Sequence, residues 1–313
     1  MSSAPAPRGD LWPEIDVAGW AATKKSLHLY AQMLGKIRVA LSPPQPNWMF
    51  TPLLFTAHGF TTGAIPCTGI AVEASLDVFA SEIIVRTSTG GERRIALLPA
   101  RSVAHVYHAL HAALAELDVP CVISTIPQEV PDTTPLPDDT RPATYEPGDV
   151  QRWFAAATST ACLFEEWRSR FFGRSGIQLW WGAFDVSLML FSGKHVPPPT
   201  DRGYLMKYDL DAELMNVGLY FGDENTKPFF YGYIFPEPPD APATALAPAE
   251  AAWSPALKEW VLPYDAVRTA RDPGAIVRSF VDAVYELCFT KAGWNRSDFT
   301  YEAPKKINPT AAP

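Results

Sequence analysis

The chain has 313 residues, of which 47% are hydrophobic and 12% aromatic, and its formal net charge is −8. This apolar content excludes a chain that is disordered throughout, because disordered chains lack the apolar groups that build a core. The acidic charge disfavours nucleic acid as a partner, since negative charge repels phosphate. No apolar run reaches the roughly 18 residues of a membrane-spanning helix, so we expect no membrane partner.

The cysteines and the N-terminal segment indicate a cellular compartment. The four cysteines are scattered, and no Cys-x-x-Cys pair occurs. Isolated thiols are typical of a reducing compartment and argue against a zinc ribbon or a redox dithiol. The first residues lack the basic and then apolar layout of a secretion signal. We therefore expect a cytoplasmic location.

The first half of the chain is predicted to span residues 11–126, after a disordered tail at 1–10. Asp16 is a candidate cap for a helix over about 17–34, and Gly35 is expected to end that helix. Alternating apolar residues then predict a short strand from Lys36 to Leu41. Further predicted elements are strands at about 48–57, 69–78, 82–88 and 92–98, a helix over about 102–117 that begins at Ser102, and a strand at 120–125.

A segment rich in proline and acids, residues 127–148, separates this half from the second. Proline lacks the amide hydrogen that helices and sheets need, so we predict a linker there. The second half is predicted to span 149–302, before a disordered tail at 303–313. Its predicted elements are a helix at about 149–171, strands at 177–191, 213–221, 228–235 and 260–262, and a helix at about 273–290.

These elements predict an α+β fold of mainly antiparallel sheets with flanking helices. Both halves show a helix, a glycine followed by Lys or Arg, several strands, a Leu-Pro step and a final helix. This order suggests two diverged repeats related by a pseudo-two-fold axis. In that arrangement, a ligand pocket is expected between the two halves.

One predicted strand, Leu179 to Phe191, is apolar on both faces, which is typical of a central strand. Asp185 lies in its middle, and an unpaired buried carboxylate costs several kcal/mol. Asp185 is therefore a candidate catalytic carboxylate. The alternative is an Asp that accepts backbone amides or pairs with a buried Arg. Glu213 is expected to face the same pocket, and Trp181 to contact the ligand.

Polar residues on the first predicted helix form a second candidate group. Lys24, His28 and Gln32 follow one another at four-residue spacing and so share a face. Lys36 and Arg38 are expected to share a strand face just beyond. Together they suit a pocket for an anionic or amide-bearing ligand, with His28 as an acid or base. The alternative is a solvated helix face.

A loop with His58, Thr61 and Thr62 follows a predicted strand and suits either a binding loop or a plain turn. The histidines at 105, 108 and 111 spread over the surface of one helix, so a solvated face is favoured over a metal site. Nucleotide-binding, esterase and metalloprotease motifs are missing from the sequence. The sequence motifs therefore predict no particular cofactor.

The order of these residues resembles the bacterial family known as domain of unknown function 5996. The shared pattern has Leu-His-x-x-x-Gln-x-x-Gly-Lys-x-Arg, Gly-x-Thr-Thr, Ile-Pro, Trp-Gly-x-Phe-Asp and Phe-Ser-Gly, beginning at residues 27, 59, 65, 181 and 191, and then Glu213, Tyr220 and Gly222. The chain departs from the pattern at Ala183, Ala212 and Phe60, where the family has Ser, His and Leu. The resemblance supports the polar residues as a set and implies no reaction.

We therefore predict a small-molecule-binding protein and a cofactor-independent enzyme acting on a polar or anionic metabolite between the halves. One alternative is a non-catalytic binding or assembly protein with a structural polar network. Another is a metalloenzyme that uses His28, His58, Asp185 and Glu213, although no spacing supports it. The candidate residues are Asp185 and His28 for catalysis, and Gln32, Lys36, Arg38, Thr61, Thr62, Glu213 and Trp181 for ligand binding.

Overall fold

A computed structural model describes residues 10–200, 208–299 and 301. The α+β prediction is confirmed, because helices flank one large antiparallel sheet. Asp16 and Ser102 cap the first two helices by accepting bonds from the backbone amides of Gly19 and His105, as the sequence predicts. The helices of the described part are α1 Val17–Leu41, α2 Val103–Glu116, α3 Pro147–Arg168, α4 Tyr264–Arg268 and α5 Pro273–Thr290.

The described residues form a single 12-stranded sheet. Its order is β11-β12-β10-β9-β8-β7-β1-β2-β4-β5-β6, and β3 pairs with β4 beside this path. The strands are β1 Leu53–Thr56, β2 Gly59–Thr61, β3 Ile65–Cys67, β4 Ile70–Asp77, β5 Glu82–Thr87, β6 Glu92–Ala96, β7 Gln178–Trp180, β8 Asp185–His195, β9 Ala212–Tyr220, β10 Phe229–Phe235, β11 Ala252–Ser254 and β12 Glu259–Pro263.

The two faces of the sheet differ in chemistry because successive strand residues point to opposite sides. One face is apolar and packs against the helices, as Phe60 does against Trp153 of α3 and Gly232 against Val284 of α5. The opposite face of the second half is polar and aromatic. We call it the polar face, and it consists of Gln178, Asp185, Ser187, Asn216, Gly218, Tyr220, Tyr231, Tyr233 and Glu259.

The two predicted halves share the sheet, since Leu53 of β1 pairs with Leu179 of β7. The segment 127–148 packs on the helices, with Leu136 fully buried and the Asp139 carbonyl accepting from the Ala104 amide. Its role as a domain linker stays a prediction, and the internal repeat is not confirmed. The tails predicted at 1–10 and 303–313 lie outside the described residues, apart from residue 10.

Helix α1 runs through Gly35 to Leu41, so the predicted helix end and the strand over residues 36–41 are wrong. A methyl group at Gly35 would overlap the indole ring of Trp181. The glycine therefore serves the close approach of a side chain to the helix rather than helix termination. Lys36 and Arg38 consequently lie on a helix and not on a strand.

Three other predicted strands need correction. Residues 120–125 lie outside the sheet, and Val122 there is 88% exposed. The strand predicted over 48–57 begins only at Leu53, because Asn47 and Trp48 adopt positive φ in a 3-10 turn. The long strand predicted over 177–191 is divided by a turn at residues 181–184, which places Asp185 at the start of β8.

The cysteines form no disulfide bond. All four are free, and Cys67 and Cys288 are buried. Among the residues that the structure describes, no helix combines the length and the apolar character needed to cross a bilayer.

The contact between Gly35 and Trp181 yields a stability prediction. In Gly35→Ala the added methyl group must displace a packed indole, which lowers the free energy of unfolding by about 1–3 kcal/mol. The matched control is Gly148→Ala in α3, where the added methyl meets open space. Its free energy of unfolding should be unchanged or rise by up to about 1 kcal/mol. Equal urea-unfolding midpoints for the two variants would contradict the packing role of Gly35.

Candidate functional site

A row of donors on α1 binds the backbone carbonyls of neighbouring loops. His28 contacts the carbonyl oxygens of Trp181 and Gly182 at 2.8 and 2.9 Å. Buried carbonyls without a donor cost free energy, so these bonds stabilise the loops against the helix. The other members bind in the same way: Lys24 to Gly222, Gln32 to Gln128 at 2.7 Å, and Lys36 to Ile126.

The proton of His28 is fixed by these partners. Carbonyl oxygens only accept, so Nε2 is the protonated nitrogen of the neutral ring. Burial lowers the pKa of His28 to about 4. Gln32 exchanges two hydrogen bonds with the backbone of Gln128, which orients its amide. Both residues thus position loops, and the predicted acid–base role of His28 gains no support from its environment.

The two predicted ligand-binding cations are also used by the backbone. Arg38 donates to the carbonyls of Phe50 at 3.0 Å and of Pro52. Burial lowers the pKa of Arg38 and brings the pKa of Lys36 to about 8. Each side chain therefore directs at least one donor at a backbone carbonyl, and ligand binding by Lys36 and Arg38 stays a prediction.

Thr61 and Thr62 shape the connection between β2 and β3. The Thr61 hydroxyl donates to Glu73 at 2.8 Å and accepts from the Gly63 amide at 3.0 Å. The Thr62 hydroxyl donates to the Gly63 carbonyl and accepts from the Ala74 amide. Both hydroxyls are therefore fully hydrogen-bonded within the chain.

The remaining predicted residues lie apart from Asp185. Glu213 accepts from Ser192 at 2.7 Å, and strand alternation places it on the sheet face opposite Asp185. His58 is largely exposed beside Asp77. Trp181 packs on α1 and donates to the Thr51 carbonyl at 2.9 Å. No group of three or more His, Cys, Asp or Glu residues in the described part of the chain is arranged to hold a metal ion.

Asp185 forms the centre of a different cluster, on the polar face. It is 6% exposed, and the Tyr231 hydroxyl donates to its carboxyl group. Tyr231 pairs with Gly218 on β9, where a side chain would overlap the phenol ring. The glycine allows the ring to lie across β9 and reach Asp185 on β8.

The turn before β8 determines where Asp185 lies. Phe184 has a φ of 62°, an unfavourable region for a bulky residue. Its ring is fully buried and stacks on Trp153 at 4.9 Å and against His28 at 4.9 Å. This packing, together with the bonds from His28, holds the turn in the conformation that starts β8 at Asp185.

Several carboxyl groups surround the polar face. Burial raises the pKa of Asp185 to about 7, and the charge of Glu129 adds to the effect. Burial likewise raises the pKa of Asp209 and of Glu259 to about 7. Glu129 is exposed as a residue, but desolvation of its carboxyl group, which lies against Gly182, raises its pKa. The four groups therefore resist ionising together.

Sequence analysis did not identify Asp209, Glu259, Asn216, Gly218 or Tyr231 as catalytic or ligand-binding residues. One signal existed: polar or small residues alternate with apolar ones in β9, as Asn216, Gly218 and Tyr220 do. Such alternation marks a sheet with one polar face. Which of these side chains contact one another across neighbouring strands can be predicted only when the strand register is known.

A family model described as a family of unknown function (DUF5996) matches residues 12–301. The chain belongs to this family. The match covers nearly the whole described chain and includes α1, the β7–β8 turn and Asp185. No curated protein and no solved structure shows significant similarity to the chain. The family assignment supplies no reaction, so the function is argued from the site.

His28 yields the first prediction for the site. In His28→Ala the carbonyls of Trp181 and Gly182 lose their donor, which lowers the free energy of unfolding by about 1–3 kcal/mol. His105→Ala is the matched control, since His105 is exposed on α2, and its effect should stay within about 0.5 kcal/mol. Thermal unfolding at pH 7.5 measures both, and equal effects would contradict the role of His28.

The same residue predicts a pH dependence. The unfolded chain binds a proton at His28 near the ordinary pKa of 6.5, whereas the folded chain does so only near 4. The contribution of His28 is thus fully present above pH 6.5 and is lost as pH falls through 4. The stability difference between wild type and His28→Gln should shrink over this interval. A difference that stays constant from pH 7.5 to 4 would contradict the neutral, buried ring.

Proposed function

We propose that the protein binds a small polar molecule at the polar face and is an enzyme in which Asp185 transfers a proton. The observation that supports this most directly is the buried Asp185 carboxyl group, bonded by Tyr231, with its pKa raised by burial to about 7. A group with a pKa near the working pH both accepts and returns a proton efficiently.

Tyr231 suits the role of a fixed donor beside Asp185. Burial raises the pKa of Tyr231 well above its ordinary value, and the neighbouring Asp185 adds to this. The phenol therefore keeps its proton and donates to the carboxylate form, which it stabilises. A purely structural buried Asp is expected to pair with a cation. No basic side chain in the described residues forms an ion pair with Asp185, and perturbed groups of this kind cluster at functional sites.

The polar face is also reachable at its margins. Tyr220, Tyr233 and Glu259 are only half-buried, so solvent contacts the margins of this face. The proposal needs no cofactor, because the proton-transfer group belongs to the chain. A cytoplasmic location, a small molecule rather than nucleic acid or a membrane as partner, and a bacterial source remain parts of this proposal.

The structural alternative is favoured for one part of the predicted site. His28, Gln32, Lys36 and Arg38 bind backbone carbonyls and form the stabilising network that a non-catalytic protein would also need. This alternative accounts for α1 but not for the polar face, where burial leaves Asp185 without a cation.

The experiment measures how each compound of a library of polar metabolites shifts the melting temperature of wild type, Asp185→Asn and Glu213→Gln. A ligand at 100 times its Kd stabilises the folded state by about 2.7 kcal/mol, which thermal shifts detect readily. Bound compounds are then incubated with protein, and conversion is followed by mass spectrometry. We expect Asp185→Asn to reduce conversion by about 100-fold or more. Glu213→Gln, altered on the opposite face, should match wild type.

The outcomes separate the two parts of the proposal. Binding without conversion by wild type would contradict the enzyme and leave a binding protein. Equal conversion by wild type and Asp185→Asn would contradict proton transfer by this carboxyl group. A library in which no compound shifts the melting temperature would contradict the site as a whole.

A further inference from the structure

The polar face and the segment just before β9 hold acidic groups that lack a cationic partner among the described residues. Asp185 is bonded by Tyr231, but Asp209 and Glu259 have no cationic partner among the described residues. The charges of Asp185, Asp209 and Glu259 also act on one phenol, Tyr233, whose pKa is raised mainly by burial and then by them. Strand register independently places Glu259 on the polar face, because Val261, two residues further along β12, pairs with Tyr231.

Unpartnered polar atoms lie in the same layer. Asn216 is 5% exposed and donates to the Tyr233 hydroxyl at 3.2 Å, while its Oδ1 has no partner. In either orientation of the amide, one of its polar atoms stays unpaired. Gln178, 4% exposed, has an unpaired Oε1, and Asp209 an unpaired Oδ1. Unpaired buried acceptors are unfavourable, so a molecule with N–H donors would stabilise this layer.

Aromatic rings complete the surroundings. Tyr231 and Tyr233 stack with ring centroids 6.5 Å apart and planes inclined by 16°. Tyr220 lies on the neighbouring strand of the same face, opposite Asp185 in the register. The faces of such rings carry negative electrostatic potential and attract cations. Carboxyl groups, carbonyl acceptors and phenol rings thus share the same preference for positive charge.

Among the described residues, the cations Lys24, Lys36 and Arg38 direct their charges elsewhere. Lys24 approaches the Tyr220 ring at 5.3 Å, but it donates to the Gly222 carbonyl at the strand end. Lys36 and Arg38 bind other carbonyls. The sequence predicts an anionic ligand from Lys36 and Arg38. At the polar face such a ligand would be repelled by the carboxyl groups of Asp185, Asp209 and Glu259.

We propose that the ligand of the polar face is a small organic cation with a protonated amino group. The ammonium lies between the carboxyl groups of Asp209 and Glu259, donates to the side-chain Oδ1 of Asn216 and contacts the Tyr233 ring. This inference rests on the proposed function for the location of the site, and it assigns the charge of the molecule that Asp185 acts on.

The test uses isothermal titration of the full chain with 1,4-diaminobutane and propylamine as probes. Propan-1-ol and succinate are the neutral and anionic comparisons. We expect the amines to bind and the comparisons not to bind. Asp209→Asn and Glu259→Gln should each weaken amine binding by roughly tenfold, the equivalent of one lost charged contact. Glu213→Gln, on the opposite face, should stay within about twofold of wild type.

Folding of the variants is checked by thermal unfolding. Neutralising Asp209 or Glu259 removes a carboxyl group that burial disfavours, so neither melting temperature should fall at pH 8. If Glu213→Gln weakens binding as much as the other variants, the attraction is nonspecific and the inference is wrong. If the amines do not bind, but wild type converts another compound that Asp185→Asn does not convert, the inference of a cationic ligand is wrong and the proposed function stands. If the amines bind but no conversion depends on Asp185, the binding inference stands alone.

Discussion

The fold depends on how α1 satisfies the carbonyl groups of the loops packed against it. Lys24, His28, Gln32 and Lys36 lie one turn apart and bind loop carbonyls from three separate parts of the chain. Backbone carbonyls that pack against a helix need hydrogen-bond donors, and these side chains supply them. This row of donors explains why polar residues occupy a buried face of α1. Gly35 lies on the same helix because the Trp181 ring packs so closely there that a side chain would overlap it.

The residues of α1 that bind loop carbonyls differ from the residues that are suited to proton transfer. The bonds from His28 hold the turn that contains Phe184, and Phe184 packing fixes the start of β8 at Asp185. Gly218 then lets Tyr231 cross a strand to reach that carboxyl group. The residues with the strongest sequence pattern thus support the site, whereas the groups suited to proton transfer lie on strands far apart in sequence.

The sequence predicts the fold class, the family and elements with strong local signals, such as the caps at Asp16 and Ser102 and the helix over residues 273–290. It fails where a long-range contact overrides a local rule, as at Gly35. The site is only partly predictable for the same reason. Asp185 was identifiable from its apolar surroundings, but its partner Tyr231 and the nearby Asp209 and Glu259 follow from register and loop packing.

The proposed function depends on Asp185 being a buried carboxyl group that exchanges its proton near neutral pH. Carboxyl carbon-13 NMR titration of the wild type, assigned by the signal missing in Asp185→Asn, measures this directly. We expect a midpoint near pH 7, because burial raises the pKa of Asp185. In Tyr231→Phe the midpoint should move to higher pH, because the carboxylate loses its donor. A midpoint close to the ordinary value of 3.8, unchanged in Tyr231→Phe, would rule out proton exchange by Asp185 near neutral pH.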